Sequence, residues 1–500
     1  MATKKCVGLI VCGVLGVLFL AAGCSLLYVF DSMIHSEVKG NLPLKNGSDS
    51  FKNWQSPRTP IKFQIWIFNV TNHDEIIQGR KPHVQQHGPY TYREHREKID
   101  IKYFDNGTVT YRELRSFVFD RENSVGSEDD TYYTVNLPAV TIMDLVKREY
   151  TVLKKVINAL LLLLGERLFI PLSVNQLMWG YEDNLLKTVK TLLKDLNVNV
   201  TFSDEFGLFY NQNNTDDGLY EIYSGIKSMD NFGQIISWNY LEKLNYWTSD
   251  VSNMINGTDG TIYPPFIAKE ETKYLFSSDL CRSLGMDYTK DVTVKGIGMD
   301  RFVAPDIMFG NVTVNPYNAG FCTPKDNCLP SGLLNVSVCR SGAPVIMSMP
   351  HFLGCDQETV DSIHGLSPNR EEHQSYIDIE PMTGVAMNVG KRLQINTYIQ
   401  HIEGFSELAN IKSPIFMPVI WLNESAVISD QDASDFKSQL LDKITLTTWV
   451  KYGLIGLGAF MILCVVVILV SLRLRQMCRR EEEVINTDDT RPLLFSNAAE

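Results

Sequence analysis

CVGLIVCGVLGVLFLAAGCSLLYVF, residues 6–30, is the stretch that sets the architecture: twenty-five positions without a charge, close to the start of a 500-residue chain. A hydrocarbon core about 30 Å thick needs roughly 20 helical residues at about 1.5 Å each. The run is longer than the roughly 7–15 apolar residues of a cleavable signal, so it reads as a retained anchor. A second run, YGLIGLGAFMILCVVVILVSL at 452–472, matches it near the other end. Lys4 and Lys5 precede the first run, and Arg473, Arg475, Arg479 and Arg480 follow the second. Positive flanks stay in the cytosol, so both termini are expected there. The expected division is a cytosolic N-terminus at 1–5, membrane helices at 6–30 and 452–472, a lumenal domain at 31–448 and a cytosolic tail at 473–500.

Sequons agree with that division. Asn46, Asn69, Asn106, Asn199, Asn213, Asn256, Asn311, Asn335 and Asn423 all begin Asn-x-Ser/Thr triplets, and all fall between the two runs. Cys281, Cys322, Cys328 and Cys339 cluster in the same interval, which in an oxidising compartment reads as two disulfides of open connectivity, with Cys355 left over. The net charge of −12 argues against nucleic acid as a partner, because phosphate binding requires a basic field.

Strand patterns occupy both ends of the intervening region. Phe63, Ile65 and Ile67 alternate, as do Leu393, Ile395, Thr397 and Ile399. Ile99, Ile101 and Tyr103 lead into Asp105-Asn106-Gly107, with Val109 and Tyr111 beyond, which predicts a hairpin. Between about 141 and 194 the period changes: Val152, Leu153, Val156, Ile157, Leu160, Leu161 and Leu164 keep helical spacing. The whole reads as a β-rich body carrying a helical insertion. Enzyme signatures of the nucleophile-elbow, zincin, phosphate-loop or dinucleotide type do not occur in the sequence. His83 and His87 are four apart, but Gly88-Pro89 breaks any helix that would place them together, so they read as structural rather than as metal ligands. No cofactor or metal is expected.

The tail holds Asp489-Thr490-Arg491-Pro492-Leu493-Leu494. An acid four positions before a dileucine resembles the sorting signal that clathrin adaptor complexes read, so Asp489, Leu493 and Leu494 are candidates for that contact. Cys6 and Cys478, at the membrane edges, are candidate palmitoylation sites.

Ordered strings along the chain then carry a resemblance. Phe68-Asn69-Val70-Thr71-Asn72, Gly88-Pro89-Tyr90-Thr91-Tyr92-Arg93-Glu94, Trp179-Gly180-Tyr181, Phe206-Gly207-Leu208-Phe209-Tyr210, Asn256-Gly257-Thr258-Asp259-Gly260, Asn318-Ala319-Gly320-Phe321-Cys322 and Pro350-His351-Phe352 resemble the class B scavenger receptors. The dileucine tail resembles their lysosomal branch. The resemblance implies a mixed α+β fold: a large antiparallel β-barrel with a lipid-sized tunnel, an apical helical bundle and two flanking transmembrane helices. It also implies disulfides Cys281–Cys339 and Cys322–Cys328. In the lysosomal branch, apical helices carry glucocerebrosidase, an acid hydrolase, to lysosomes. Mapped onto this chain, they correspond to about residues 145–169, with Val152, Val156, Leu160, Leu162, Leu163, Lys154 and Lys155 as candidate contacts.

Spacing alone favours bundle core for most of Val152, Val156, Leu160 and Leu163, because one face must be buried. Leu162 and Leu163, on the broadened side, point toward exposure. The lysosomal branch has a histidine in this helix, whereas Thr151 stands at the matching position here. The competing reading is a plasma-membrane receptor for lipoproteins, sterols or fatty acids, with Lys147, Lys154 and Lys155 attracting anionic surfaces. Both readings admit membrane lipid or sterol in the tunnel, and both leave homo-oligomerisation open.

Overall fold

The computed structural model describes residues 2–195, 203–325 and 327–488. Two compact units emerge, one comprising Met1–Glu37 with Ser434–Glu500 and the other Val38–Ala433. The first contains most of two helices long and apolar enough to cross a membrane. Helix α1, Ala2–Asn41, outlasts the apolar run by about three turns. The second candidate span covers Asp430–Glu481.

In the second unit, thirteen strands among the described residues form one sheet. Its main path uses β1 (Ile61–Val70), β2 (Val84–Tyr103), β3 (Thr108–Phe119), β4 (Thr215–Tyr223), β5 (Ile235–Trp238) and β6 (Lys273–Ser277). It continues with β7 (Arg282–Val294), β8 (Ile297–Val303), β9 (Tyr376–Ile379), β10 (Ala386–Ile399) and β11 (Ile415–Val427). The spatial order is β6-β7-β8-β9-β10-β11-β1-β2-β3-β4-β5, an antiparallel meander in which β11 returns to pair with β1. Chain neighbours are therefore spatial neighbours everywhere except at that closing pair and at the seam between β5 and β6.

A short segment spans the seam. Ile235 N–H donates to Gly257 O at 2.8 Å, Thr258 N–H to Tyr274 O at 3.2 Å, and Phe276 N–H to Thr258 O at 2.9 Å. Residues 257 and 258 thus lie between the two edge strands and occupy backbone groups that would otherwise be unpaired, as closure of a sheet requires. Gly257 sits at φ +86°, and a Cβ there would lie 1.9 Å from Tyr274 O, so only glycine fits.

The predicted hairpin is present. β2 and β3 pair through Tyr103 and Val109, and Gly107 N–H closes the turn onto Phe104 O at 3.0 Å. The mixed α+β architecture, with its large antiparallel sheet and two terminal apolar helices, agrees with the expected fold class.

The helical region packs on one end of the sheet. It comprises α2 (Leu137–Leu145), α3 (Thr151–Leu164) and α4 (Asn184–Asp195), interrupted by the strand Phe169–Ser173, which pairs with Thr131–Val135. Val140, Met143, Ile157, Leu161, Leu185 and Val189 share a core with Phe68, Val84, Ile399 and Met417 from the sheet. α3 ends where Gly165 adopts φ +72°, its N–H bonding to Leu162 O while Glu166 N–H bonds to Leu161 O.

Candidate functional site

The Leu160–Leu164 run of α3 is apolar all round, and its surroundings decide which face is buried. Ile157 and Leu161, four apart, point into the core. The spacing-based preference for a buried Val152 and Val156 is corrected: Val152 is 73% exposed and Val156 49%. One face needs only the 157/161 pair to seat on the sheet, which leaves the 152/156/163 stripe outward. Leu162 and Leu163 are exposed, at 59% and 82%, in line with their place on the broadened side. Leu160 and Lys154 are half-buried, and Lys155 and Thr151 are exposed. Lys154 Nζ reaches Lys147 O at 3.4 Å, and Asn158 Oδ1 accepts from Ser406 N–H at 3.1 Å and Ser406 Oγ at 3.2 Å, tying the helix to the segment after β10. Tyr150, 86% exposed, extends the apolar surface past the helix start. Contiguous exposed apolar side chains on a seated helix are a feature that marks candidate interaction surfaces.

Inside the sheet lies a second arrangement. Tyr90, Tyr92, Glu94 and Lys98 alternate inward on β2 and are buried, with Arg96 between them. Arg96 Nε donates to Glu94 Oε1 at 2.6 Å and Nη1 to Glu113 Oε1 at 3.2 Å, while Nη2 pairs with Glu424. Lys98 Nζ reaches Glu113 Oε2 at 2.7 Å, Lys391 pairs with Asp279 and reaches Glu424 at 3.2 Å, and Arg115 Nη2 meets Asp217 at 2.8 Å. Burial alone would raise the Glu113 carboxyl, but Lys98, Arg96 and Arg115 together hold it well below the usual carboxylate range. Glu94 goes the other way: burial and the neighbouring Glu424 outweigh Arg96, so its carboxyl is raised. Period-two charges at Glu94-x-Arg96-x-Lys98 and Glu113-x-Arg115 were the available sequence signal, but a charged strand face ordinarily reads as a solvated one.

A third cluster joins β2, β10 and β11. Trp421 Nε1–H donates to Gln86 Oε1 at 2.7 Å, which also lies 2.5 Å from His351 Nε2. The His351 and His373 rings stack with centroids 4.5 Å apart. His83 and His87 lie beside or on strand β2 rather than on a helix: His83 bridges to His364, and His87 stacks on Tyr132 at 4.6 Å.

Cys281 is bonded to Cys339, and Cys322 to Cys328. Cys355 is a free, half-buried thiol that burial pushes far up. Among the sequons, Asn46, Asn106 and Asn213 are exposed, with Asn106 at the hairpin tip, while Asn69, Asn256, Asn311, Asn335 and Asn423 are half-buried. Asn199 and the tail residues Asp489, Leu493 and Leu494 lie outside the described residues, and Cys478 is exposed on the long second helix, α5 (Asp442–Asp488). Among the described residues, no group of three His, Cys, Asp or Glu side chains is placed to hold a metal ion.

Comparison with known proteins identifies the lineage. The sequence is 40% identical over 452 residues to Lysosome membrane protein 2 of Mus musculus, covering 90% of this chain and 92% of that one. The corresponding Homo sapiens protein is 38% identical over the same length. Scavenger receptor class B member 1 of Mus musculus is 34% identical over 466 residues, 93% of this chain and 90% of the relative. With residues 14–469 also matching the description CD36 family, the chain belongs to the CD36 family.

Proposed function

We propose that this protein is a lysosomal membrane receptor whose helical cap binds an acid hydrolase of the glucocerebrosidase type and whose tail directs the complex to lysosomes. The observation that carries the reading is the outward apolar stripe of α3, formed by Val152, Val156, Leu162 and Leu163. Such side chains are suited to burial in a protein–protein contact, with Lys154 and Lys155 at its rim. Similarity to Lysosome membrane protein 2 supports the compartment. In this reading 6–30 and 452–472 span the membrane, both termini face the cytosol, and Asp489, Leu493 and Leu494 engage clathrin adaptors. Exposed Asn46, Asn106 and Asn213 are the best-placed glycan acceptors. The role is that of a receptor and not of an enzyme.

Two measurements test it. A tagged wild type is expected in lysosomes and a Leu493→Ala/Leu494→Ala variant at the cell surface; surface residence of both removes the sorting signal from the account. Leu163→Asp is expected to fold and leave the endoplasmic reticulum yet lose co-precipitation of glucocerebrosidase, and retained co-precipitation refutes the α3 contact.

The second reading, a surface receptor that moves sterol or fatty acid through a barrel tunnel, draws on similarity to Scavenger receptor class B member 1. The ion pairs of Arg96 and Lys98 buried inside the sheet weigh against an all-apolar conduit at that level, so the hydrolase reading is placed first.

A further inference from the structure

The β2–β3 hairpin turns through Phe104-Asp105-Asn106-Gly107, and its backbone is firmly held. Gly107 N–H donates to Phe104 O at 3.0 Å, Phe104 N–H donates to Thr108 O at 3.0 Å, and Gly107 sits at φ +90°. A hairpin loop closed by a left-handed glycine has this pattern. The closing bond keeps the Cα atoms of Phe104 and Gly107 within about 7 Å of each other. From the opposite side Ser224 N–H and Ser224 Oγ–H donate to Gly107 O at 3.1 and 2.7 Å, while Ser224 O accepts from Leu44 N–H at 2.9 Å. The turn is therefore a fixed platform.

Asn106 opens the sequon Asn106-Gly107-Thr108. Its Oδ1 accepts from Thr108 N–H at 3.0 Å and lies 2.8 Å from Thr108 Oγ1, which sets the orientation of the amide. Its Nδ2, the atom that carries a glycan, makes no hydrogen bond among the described residues. Asn311 and Asn335 differ: their Nδ2 groups donate into the fold, to Leu329 O at 2.7 Å and to Thr323 O at 3.1 Å. Phe104, two residues before Asn106, is 49% exposed. An exposed phenylalanine by itself means little, so its place decides the matter. With Tyr103, Ile226 and Lys227 it lines a cleft of about 390 Å³, and its ring faces open volume rather than packed side chains. Tyr103 is fixed beside it, its hydroxyl donating to Leu44 O at 2.7 Å.

We propose that the first N-acetylglucosamine of an Asn106-linked glycan lies flat on the Phe104 ring at the mouth of this cleft, and that the contact locks the hairpin. N-glycosylation replaces one Nδ2 proton with the anomeric carbon of that sugar, delivered from a lipid-linked oligosaccharide diphosphate, so the ligand is tethered within reach of the ring. One face of the pyranose presents axial C–H groups, whose positive ends suit the negative face of an aromatic ring. Covalent attachment also spares the contact the translational cost of association. The inference rests on the reading of Asn106 as a lumenal glycan acceptor, and it goes beyond that reading by giving the sugar a seat on the protein.

The test is a double-mutant cycle on the full-length protein from mammalian cells, with occupancy read by glycopeptide mass spectrometry and hydrogen exchange read at the Gly107 and Ser224 amides. Asn106→Asp removes the glycan and keeps an acceptor oxygen for Thr108 N–H. With Phe104 present, it is expected to speed exchange at both amides roughly three- to tenfold, the range of one stacked ring contact. In a Phe104→Ala background the same substitution is expected to change exchange by less than about twofold. Phe104→Leu, which keeps apolar bulk without a ring face, is expected to behave like Phe104→Ala and serves if that variant does not fold; Phe104→Trp is expected to retain the coupling. Equal acceleration in both backgrounds, or none in either, overturns the proposal while Asn106 stays a glycan acceptor, whereas an unmodified Asn106 removes both. Exchange that is slower in phosphatidylserine nanodiscs than in phosphatidylcholine nanodiscs, with the difference lost in Phe104→Ala, would assign the ring to an anionic lipid surface and likewise overturn the glycan contact.

Discussion

At the residue scale, His351 is held neutral by its hydrogen bonds. Ser367 N–H donates to Nδ1 at 3.1 Å, so that nitrogen is an acceptor and the ring proton sits on Nε2, facing Gln86. His373 is fixed in the same way, its Nδ1 accepting from Asn369 N–H at 2.9 Å. Protonating either ring breaks a backbone bond and places positive charge against its stacked neighbour. Burial first, then His373, lowers His351 to about 4, and burial lowers His373 as well, opposed by Glu372 and reinforced by Arg392. The unfolded histidine takes up its proton near pH 6.5. A depressed folded pKa therefore contributes stability that is complete above about 6.5 and is lost as the pH falls toward 4. His351 alone accounts for on the order of 2 kcal/mol between pH 7 and pH 5. Urea unfolding at the two pH values is expected to show that loss in wild type and a correspondingly flatter dependence in His351→Gln; parallel curves would remove His351 from the pH response. The buried Lys98–Glu113 pair makes a second case. Lys98→Met leaves Glu113 with less compensating charge and is expected to cost about 3–5 kcal/mol by denaturant midpoint.

At the scale of elements, α3 separates seating from recognition. Ile157→Ala opens the core shared with Phe68 and Val84 and is expected to cost roughly 2–4 kcal/mol, whereas Leu163→Ala, 82% exposed, should change stability by about 0.5 kcal/mol or less. Comparable losses from the two variants would mean that the outward stripe is packed after all. The helix itself was legible in the spacing of Val152 to Leu164, but its buried face was not. A run such as Leu160 to Leu164 is apolar in every direction, and which side meets the sheet depends on Phe68, Val84 and Met417, far away in sequence. The β2–β3 hairpin was legible because its turn chemistry is local. The inward charges of β2 were not, since Glu94, Arg96 and Lys98 are neutralised by residues on β3 and β11, and period two alone cannot tell a solvated face from a buried network.

At the scale of the large sheet, the backbone closure rests on a short segment. Along the main path each strand pairs with its neighbours, yet between β5 and β6 the backbone bonds among the described residues run through Gly257 and Thr258, beside the Trp238 and Phe276 rings that meet at 5.4 Å. The motif Asn256-Gly257-Thr258-Asp259-Gly260 contains two glycines with nearly the same backbone angle, φ +86° and φ +88°, in very different surroundings. A Cβ on Gly257 would overlap Tyr274 O, whereas one on Gly260 meets nothing nearer than Leu275 at 3.9 Å. Strain from positive φ is common to both, about 1–3 kcal/mol, so the difference between them isolates the seam. Gly260→Ala is expected to lose about 1 kcal/mol and Gly257→Ala roughly 3–5 kcal/mol, with faster hydrogen exchange at the Ile235 and Phe276 amides that the segment holds. If the two variants lose stability equally and both amides stay protected, the edge strands are held together elsewhere, and the 256–260 motif serves as a turn rather than as the stave that closes the sheet.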